Sequence, residues 1–318
     1  MVDAREDAMT YAFLFPGQGA QYSGMGRDLY EASQNVRDLF ALAEDVTGRD
    51  LTRLIFEGSE EELKRTDNTQ IAVTLVNLAA AAYLKEKGIE ASVCAGFSLG
   101  EYAALVEAGI LTPEQVFPIV VKRGECMERA SRAWDERGGK TGMSAILGLP
   151  QGKVEEVLEG AGIPDVYIAN YNSPVQVVLS GTEEGLTKAE EVCKAAGARR
   201  AVRLRVSGPF HSPLLKEAQE EFADFLAGYS FADPVKKVYS NVTARPLTSG
   251  EEAKRMAVAQ ITSPVRWTEE EQALLEEGVQ RALEVGPGTV LCGLWKALSA
   301  EVPCLPAGTR EQIEKITG

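Results

Sequence analysis

A glycine-flanked serine between an apolar segment and a helical segment is the feature that most restricts how this chain can fold. Residues 92–95 form a short apolar segment typical of a strand, and residues 99–108 have the composition of a helix. Between them stands Gly-Phe-Ser-Leu-Gly, residues 96–100. Glycines permit a tight turn and the close approach of other backbone. We therefore predict a strand–turn–helix elbow that raises the Ser98 hydroxyl out of a sheet.

The rest of the chain alternates between strands and helices, which is typical of an α/β domain with a largely parallel sheet. Residues 11–15 form the first strand and residues 28–46 a helix. The middle of the chain has the βαββαβ order of a ferredoxin-like unit. Its predicted elements are strand 143–149, helix 153–158, strands 166–169 and 176–180, helix 183–196 and strand 201–206. Further strands are predicted at 238–242 and 282–285, and helices at 269–277 and 290–298. We predict a small subdomain, residues 131–206, inserted into a larger domain of residues 1–130 and 207–318.

The charge balance and the cysteines exclude several classes of protein. The chain has 47 Asp and Glu against 33 Lys and Arg, a net charge of −14, which argues against nucleic-acid binding and against adsorption to anionic membranes. Its five cysteines are scattered without a C-x-x-C pair, so neither a disulfide framework nor a zinc site is expected. A single histidine excludes a histidine-rich metal site. We expect no metal, and buried reduced cysteines.

No segment has the pattern of a targeting or membrane-spanning sequence. The first ten residues are polar and acidic, so no signal peptide is predicted. The longest apolar stretch, residues 71–84, is interrupted by Thr74 and Asn77 and is too short to span a bilayer. We expect that stretch to be a buried helix, and the protein to be cytoplasmic.

Ser98 and His211 are a candidate catalytic pair. A serine hydroxyl near neutral pH needs a base to take its proton, and His211 is the one imidazole in the chain. Taken alone, each has a structural interpretation, because G-x-S-x-G turns are common and His211 lies in a loop stiffened by Pro209 and Pro213. No triad motif is evident, so a dyad with the imidazole oriented by a carbonyl is at least as well supported as a triad. The helix after the turn would favour negative charge at the serine, with the Leu99 amide as an oxyanion donor.

Two further features have both a structural and a functional interpretation. The Pro-Gly turn at residues 15–19 follows the first strand and is either a simple turn or the source of a second oxyanion donor. Arg123 lies on an amphipathic helical stretch, where most arginines are solvated. If it reaches a pocket, its guanidinium can bind a substrate carboxylate bidentately.

Seven motifs together resemble those of the malonyl-CoA:acyl carrier protein transacylase family, in order and spacing from about residue 11 to 306. They are Phe15–Gln21, the elbow Gly96–Glu101, Arg123-Gly124, Asn170–Pro174, Phe210–Ser212, Gln260 with Pro264–Trp267, and Glu284–Gly288. The resemblance implies an α/β-hydrolase-like large domain, an inserted ferredoxin-like subdomain, and an active site in the cleft between them.

The resemblance also implies roles for individual residues. Ser98 matches the nucleophile and His211 the general base and acid; the Gln18 and Leu99 amides match the oxyanion hole, Arg123 the clamp on the malonyl carboxylate, and Gln260 the residue whose backbone carbonyl orients the histidine. Phe97 departs from the family, which often has histidine there, and this is expected to alter access at the elbow. Phe210 resembles the bulky residue of malonyl-selective members.

The implied reaction is ping-pong malonyl transfer from malonyl-CoA to an acyl carrier protein, with phosphopantetheine carried by the partner and no cofactor on the enzyme. Family members are usually monomers, and the carrier may serve fatty-acid or polyketide synthesis. Arg199 and Arg200, in a basic stretch, are candidates for docking the acidic carrier, although a solvated strand face explains them equally well. Two alternatives stay open: a serine thioesterase or esterase that releases free malonate, and a carrier-binding scaffold with a decayed site.

Overall fold

The computed structural model describes residues 9–137, 139–206 and 208–317. Residues 1–8, on which the predicted lack of a signal peptide largely rests, lie outside the described residues. Residue 207, the predicted start of the second large-domain segment, lies outside them too.

The described residues form two separate sheets. The strands are β1 Tyr11–Phe15, β2 Val93–Gly96, β3 Thr141–Leu147, β4 Val166–Ser173, β5 Gln176–Thr182, β6 Arg200–Arg203, β7 Lys237–Val238, β8 Arg281–Glu284 and β9 Cys304–Pro306. The first sheet is parallel, in the order β7-β2-β1-β8-β9, and the second is antiparallel, in the order β4-β5-β3-β6. The predicted α/β class, with a parallel sheet and a small ferredoxin-like unit, is confirmed.

Helices cover both sheets. They are α1 Arg27–Ala32, α2 Gln34–Thr47, α3 Leu51–Glu57, α4 Glu60–Lys64, α5 Thr66–Glu86, α6 Gly100–Glu107, α7 Pro113–Arg137, α8 Gln151–Ala161, α9 Glu183–Ala195, α10 Lys216–Leu226, α11 Gly250–Ala259, α12 Trp267–Glu276, α13 Val290–Leu298 and α14 Arg310–Thr317. None of the helices in the described ranges combines the length and the apolar character that crossing a membrane requires.

The parallel sheet is buried on both faces because its strands are apolar at nearly every position. In β1, Phe13 and Phe15 belong to a core shared with α5 and α7, whereas Ala12 and Leu14 belong to a second core with Trp267 and Trp295. This is the period-two alternation of a strand between two layers of helices. The centre of the sheet is therefore fixed from both sides, and the turns at the carboxyl ends of β1 and β2 lie side by side.

Helices α5 and α7 pack against each other beside the parallel sheet. α5 is buried over most of its 21 residues, and it contains the stretch 71–84 that the sequence marks as a buried helix. α7 runs unbroken from Pro113 to Arg137 and buries Arg123. The predicted first boundary of the inserted subdomain, residue 131, falls inside this continuous helix.

One predicted helix is wrong in detail. The helix expected over residues 28–46 is two helices, α1 and α2, separated by Ser33. Ser33 is extended, with φ −129° and ψ 133°, and its hydroxyl accepts a hydrogen bond from the Val36 amide at 3.2 Å. This N-cap starts a new helix. The amphipathic pattern continues across the break and hides it.

The antiparallel sheet has its own core with α8 and α9, around Ile146, Leu179 and Leu186. Its edge strand β4 is joined to the large domain, because Tyr171 N donates to Val265 O at 2.9 Å and Val265 N donates to Ala169 O at 2.8 Å. The small sheet thus meets the segment just before α12 at a defined seam, and the cleft between the two sheets lies next to the elbow. The division of the chain into residues 1–130 with 207–318 and residues 131–206 stays a prediction.

Candidate active site

The elbow between β2 and α6 places Ser98 in a left-handed conformation, with φ 52°. A Cβ on Gly100 would lie 1.9 Å from Phe15 O, and one on Gly17 would lie 2.4 Å from Phe97 O. Both distances are far inside van der Waals contact with backbone, so glycine is required at both positions. Close packing of the two turns is therefore what holds Ser98 at the edge of the sheet.

Ser98 and His211 are within hydrogen-bond distance. Ser98 Oγ and His211 Nε2 are 2.7 Å apart, and His211 Nδ1 is 2.8 Å from the backbone oxygen of Gln260. Since a carbonyl can only accept, Nδ1 carries the proton and the Nε2 lone pair faces the hydroxyl. Burial, and then the charge of Arg123, lowers the pKa of His211 to about 4. The imidazole is thus a neutral base at physiological pH, oriented by a carbonyl.

Arg123 brings a buried positive charge to the same site. Its Nη1 donates to Gln70 Oε1 at 2.7 Å, and its Nη2 donates to Gln260 Oε1 at 3.0 Å and to Ser98 Oγ at 3.4 Å. Its Cζ lies 5.4 Å from the centre of the Tyr102 ring. Burial lowers the pKa of Arg123. Among the described residues it forms no ion pair and its Nε has no hydrogen-bond partner, so the site offers a cation to an anionic group.

Gln260 connects the elbow, the base and the guanidinium. Its backbone oxygen holds His211, its Oε1 accepts from Arg123, and its Nε2 donates to Ser98 O at 3.0 Å. The same Nε2 donates to Glu101 Oε2 at 2.6 Å and lies 3.0 Å from Asn241 Oδ1. One residue, through its backbone oxygen and its side chain, therefore fixes the relative positions of Ser98, His211 and Arg123.

The Asn241 side chain forms hydrogen bonds with the backbone of the elbow. Its Oδ1 accepts a hydrogen bond from the Ser98 amide at 2.8 Å, and its Nδ2 donates to Gly96 O at 2.7 Å. The Ser98 amide is therefore already engaged, and the next amide, that of Leu99 at the start of α6, stays the predicted oxyanion donor of the elbow. Gln18 lies in the turn packed against the elbow and lines the same cavity.

The cavity in front of Ser98 has a volume of about 450 Å³ and lies between the two sheets. Phe210 lines it, and so does Phe97, whose ring packs edge-on against Trp267 with centroids 5.3 Å apart. Met127 and Met143 add apolar wall. The cavity therefore combines apolar walls with the polar groups of Ser98, His211 and Arg123, which suits a small acyl group with a charged end.

Basic side chains at the mouth of the cavity differ from the predicted pair. Lys64 and Arg205 line the cavity, whereas Arg199 and Arg200 are exposed and do not. The pKa of Glu60 is lowered mainly by Lys64 and to a smaller extent by Arg205. α4 and the segment after β6 therefore lie near each other at the mouth. The proposed docking role of Arg199 and Arg200 stays a prediction.

Sequence reasoning missed three polar residues that organise the site: Gln70, Asn241 and the side chain of Glu101. A signal exists for Gln70, because Gln70, Thr74 and Asn77 are polar positions at helical spacing in an otherwise apolar helix. All three are buried, and Asn77 Nδ2 donates to Pro16 O at 2.9 Å. Asn241 has no comparable local signal, since its partners in the elbow and in Glu101 lie more than a hundred residues away in sequence.

A neutral imidazole beside an elbow serine, with a cation buried next to both, is the site of a serine acyltransferase. The family described as the acyl transferase domain matches residues 12–301. The chain is 41% identical over 305 residues to the malonyl CoA-acyl carrier protein transacylase of Bacillus subtilis strain 168, covering 95% of each protein. It belongs to this family of transacylases.

Solved structures agree with this assignment. The malonyl CoA-acyl carrier protein transacylase of Coxiella burnetii superposes with a TM-score of 0.92 at 34% identity, covering 97% of each chain. A malonyl-transacylase solved in complex with its type II PKS acyl-carrier protein superposes with a TM-score of 0.91 at 38% identity, covering 96% of this chain and 98% of that one.

Proposed function

We propose that this protein transfers the malonyl group of malonyl-CoA to the phosphopantetheine thiol of an acyl carrier protein, through a malonyl ester on Ser98. One observation carries the proposal: Arg123 is fully buried, has hydrogen-bonding partners that are all neutral, and lies 3.4 Å from the Ser98 hydroxyl. A carboxylate at the end of a short acyl group on Ser98 would supply the charge that Arg123 lacks.

In the first half-reaction, Ser98 Oγ attacks the thioester carbonyl while His211 Nε2 takes the hydroxyl proton. The negative charge that forms on the carbonyl oxygen is held by the backbone N–H groups of Leu99 and Gln18. When the tetrahedral intermediate collapses, the carbon–sulfur bond breaks and His211 returns the proton to the departing thiolate of CoA. The Gln260 carbonyl stabilises the imidazolium that forms in between.

In the second half-reaction, the thiol of the carrier's phosphopantetheine arm gives its proton to His211 and attacks the Ser98 ester. A new thioester forms, the ester bond breaks, and Ser98 Oγ recovers a proton from His211. Atoms and charges balance with no electron transfer, so we propose that the enzyme uses no cofactor and no metal.

Arg123 and Phe210 are the proposed selectors of the acyl group. An acetyl group leaves the guanidinium unpaired in a buried site, which costs several kcal/mol by analogy with broken buried ion pairs. Phe210 is buried against the small sheet, because its backbone oxygen accepts from the Ser180 hydroxyl. Its ring would therefore oppose a branched acyl group, which favours malonyl over methylmalonyl.

The proposed partner is an acyl carrier protein, in line with the solved complex of the similar malonyl-transacylase. Either a fatty-acid or a polyketide carrier is compatible with these relatives. We also propose that the protein acts as a monomer in the cytoplasm. Reduced cysteines fit that compartment, since the five cysteines are free.

Intact-mass spectrometry tests the proposal directly. The protein is incubated with malonyl-CoA, acetyl-CoA and methylmalonyl-CoA in competition, and we expect a malonyl adduct on the wild type and none on Ser98→Ala. Addition of a phosphopantetheinylated carrier protein should remove the adduct and add the same mass to the carrier. Release of free malonate instead would indicate a thioesterase, and the absence of any adduct would indicate a carrier-binding scaffold.

A further inference from the structure

A buried acid stands behind the cation of the site, one amide group away from it. Glu101 is 2% exposed on α6, and its Oε2 accepts from Gln260 Nε2 at 2.6 Å and from Asn241 N at 3.2 Å. The oxygen of the same Gln260 amide accepts from Arg123 at 3.0 Å. The amide dipole thus lies between the two charges, with its oxygen toward the cation and its nitrogen toward the acid.

This arrangement gives Arg123 a counter-charge that does not occupy its substrate-binding side. A buried guanidinium and a buried carboxylate in direct contact would form an ion pair and leave no room for a ligand. With Gln260 between them, Glu101 stabilises the empty site electrostatically, while Arg123 still lines the cavity beside Ser98.

From this geometry we infer that Glu101 is a specificity-determining residue that acts through Arg123, carrying the counter-charge of the empty site and taking up a proton when an acyl carboxylate binds there. The inference rests on the proposed function. When a malonyl group binds, its carboxylate replaces the Glu101 carboxylate as the anion that balances Arg123. The Glu101 carboxylate then takes up a proton from solvent.

The other titratable groups around Glu101 do not take part in this exchange of charge and proton between Glu101 and the ligand at Arg123. On α12, burial and then the charge of Glu101 raise the pKa of Glu270 well above its usual range, which favours the neutral acid. Burial also raises the pKa of Tyr102, on the same helix as Glu101, which favours the neutral phenol. His211 is neutral near pH 7 because its pKa is lowered to about 4. For each of these three groups, the pKa shift favours the uncharged form.

Glu101 itself is poised to change its protonation. Burial raises its pKa to about 7, against the opposing effects of the Asn241 and Gln260 hydrogen bonds and the Arg123 charge. An anion bound to Arg123 cancels the effect of the Arg123 charge and therefore raises the pKa of Glu101 further. Binding of a malonyl group therefore takes up a proton above about pH 7, and affinity for the malonyl group falls as pH rises through that range.

The test is the ratio of kcat/KM for malonyl-CoA to that for acetyl-CoA, measured from pH 6 to pH 9. Titration of the CoA phosphates, His211 and Ser98 affects both substrates and cancels in the ratio. We expect the wild-type ratio to fall about tenfold across this range, which corresponds to a shift of one pKa unit. In Glu101→Gln the ratio should stay at the wild-type low-pH value throughout, because Gln keeps an acceptor for Gln260 but carries no charge.

Glu270→Gln is the matched control. Glu270 is equally buried and accepts from Asn241 Nδ2 at 2.8 Å, but among the described residues it forms no hydrogen bond with Gln260, and burial favours its neutral form by raising its pKa. In this variant, the ratio of kcat/KM for malonyl-CoA to that for acetyl-CoA should depend on pH as it does in the wild type. A flat wild-type ratio, or the same slope in Glu101→Gln as in the wild type, overturns the inference while leaving malonyl transfer intact.

A second measurement does not depend on turnover or on the folding of Glu101→Gln. Titration calorimetry of Ser98→Ala with malonyl-CoA at pH 8, in buffers of different ionisation enthalpy, should show an uptake of about 0.4 proton per site, the value that a pKa raised by one unit from about 7 gives at this pH. Binding of acetyl-CoA should be accompanied by a much smaller proton uptake. Equal uptake with both ligands overturns the inference, whereas a wild-type enzyme that forms no malonyl adduct overturns the proposed function as well.

Discussion

At the scale of single residues, Arg123 is the proposed selector of the acyl group. The cation is buried among Gln70, Gln260 and Ser98, which are all neutral. A charge in such a place is stabilised most by a ligand of opposite sign, and Arg123 lines the cavity where that ligand would lie. We therefore expect the residue to favour an acyl group with a carboxylate end over its uncharged analogue.

We expect Arg123→Ala to lower kcat/KM for malonyl-CoA by about 10²- to 10³-fold, because a charge-assisted bidentate contact is lost. The value for acetyl-CoA should fall far less, so that the preference between the two disappears. Arg123→Lys, which keeps the charge without the planar fork, should give an intermediate malonyl value. Steady-state kinetics on both thioesters checks this. Equal losses on both would mean that Arg123 only supports the fold, and an unchanged preference would indicate a hydrolase.

A second residue-scale prediction concerns the acid limb of acylation. His211 acts as a base only when unprotonated, and its pKa is lowered to about 4 by burial and by Arg123. The rate of Ser98 acylation should therefore be maintained as pH falls through 6.5 and decline only as it approaches 4. Rapid quench followed by intact-mass spectrometry measures this rate. An acid limb centred near 6.5, the usual value for histidine, would show that the imidazole is far better solvated than its burial indicates.

The sequence allowed the reacting residues to be predicted, but not the residues that hold them. Ser98 has a local signature in its glycine-flanked turn, and His211 is identified because it is the single imidazole. Asn241 acts on the elbow through residues distant in the chain, so a single sequence contains no spacing that would reveal it, whereas Gln70 has the one signal of a polar position at helical spacing in an apolar helix. Gln260 was found only through its resemblance to a family motif.

At the scale of secondary-structure elements, the contact between the turn after β1 and the turn after β2 determines whether the nucleophile is presented at all. Gly100 begins α6 directly under Phe15 O. Its lack of a side chain lets the two strand ends approach. Ser98 keeps its left-handed backbone because this packing leaves it no alternative.

We expect Gly100→Ala to destabilise the fold by about 3 kcal/mol or more, since the new Cβ would lie 1.9 Å from a backbone oxygen that cannot move freely. Gly152→Ala is the matched control, because Gly152 lies on the exposed side of α8 with no atom within 4 Å of the added carbon. That change should be neutral or stabilising by up to about 1 kcal/mol. Urea unfolding of both variants checks the difference, and similar stabilities would contradict the role of close packing at the elbow.

Element boundaries were predicted less well than element types, for reasons that the structure makes clear. The strand expected over residues 238–242 is reduced to Lys237–Val238. The chain leaves the sheet after Val238, and Asn241 turns beneath the elbow, where its side chain and its amide are both used. The sequence shows an apolar, strand-like pattern there, but the hydrogen bonds of the site override it.

At the scale of the whole molecule, an enzyme of net charge −14 has to approach an acidic partner. We expect that changing both Arg199 and Arg200 to Glu will raise the Michaelis constant for the carrier protein severalfold without changing that for malonyl-CoA. A matched reversal of Arg310 and Lys315 on α14 should affect neither constant. Equal effects on both substrates would rule out docking at Arg199 and Arg200, and would direct attention to Lys64 and Arg205 at the cavity mouth.

The two-part organisation of the molecule was predictable because each part has its own pattern: parallel strands alternating with helices in one, and βαββαβ in the other. The contact between the two parts could not be predicted from the sequence. It depends on Val265 pairing with Ala169 and Tyr171, nearly a hundred residues earlier in the chain. Long-range pairing of this kind leaves no periodicity in a single sequence.

This pairing also has a consequence for movement between the two parts. Two peptide hydrogen bonds at Val265 fasten the edge strand β4 to the segment just before α12. We expect any opening of the cleft to keep these bonds intact and to move the part of the cavity wall that contains Lys64 and Arg205. A long, flexible pantetheine arm would then enter and leave there, while Gln260, five residues before Val265, keeps the imidazole in place.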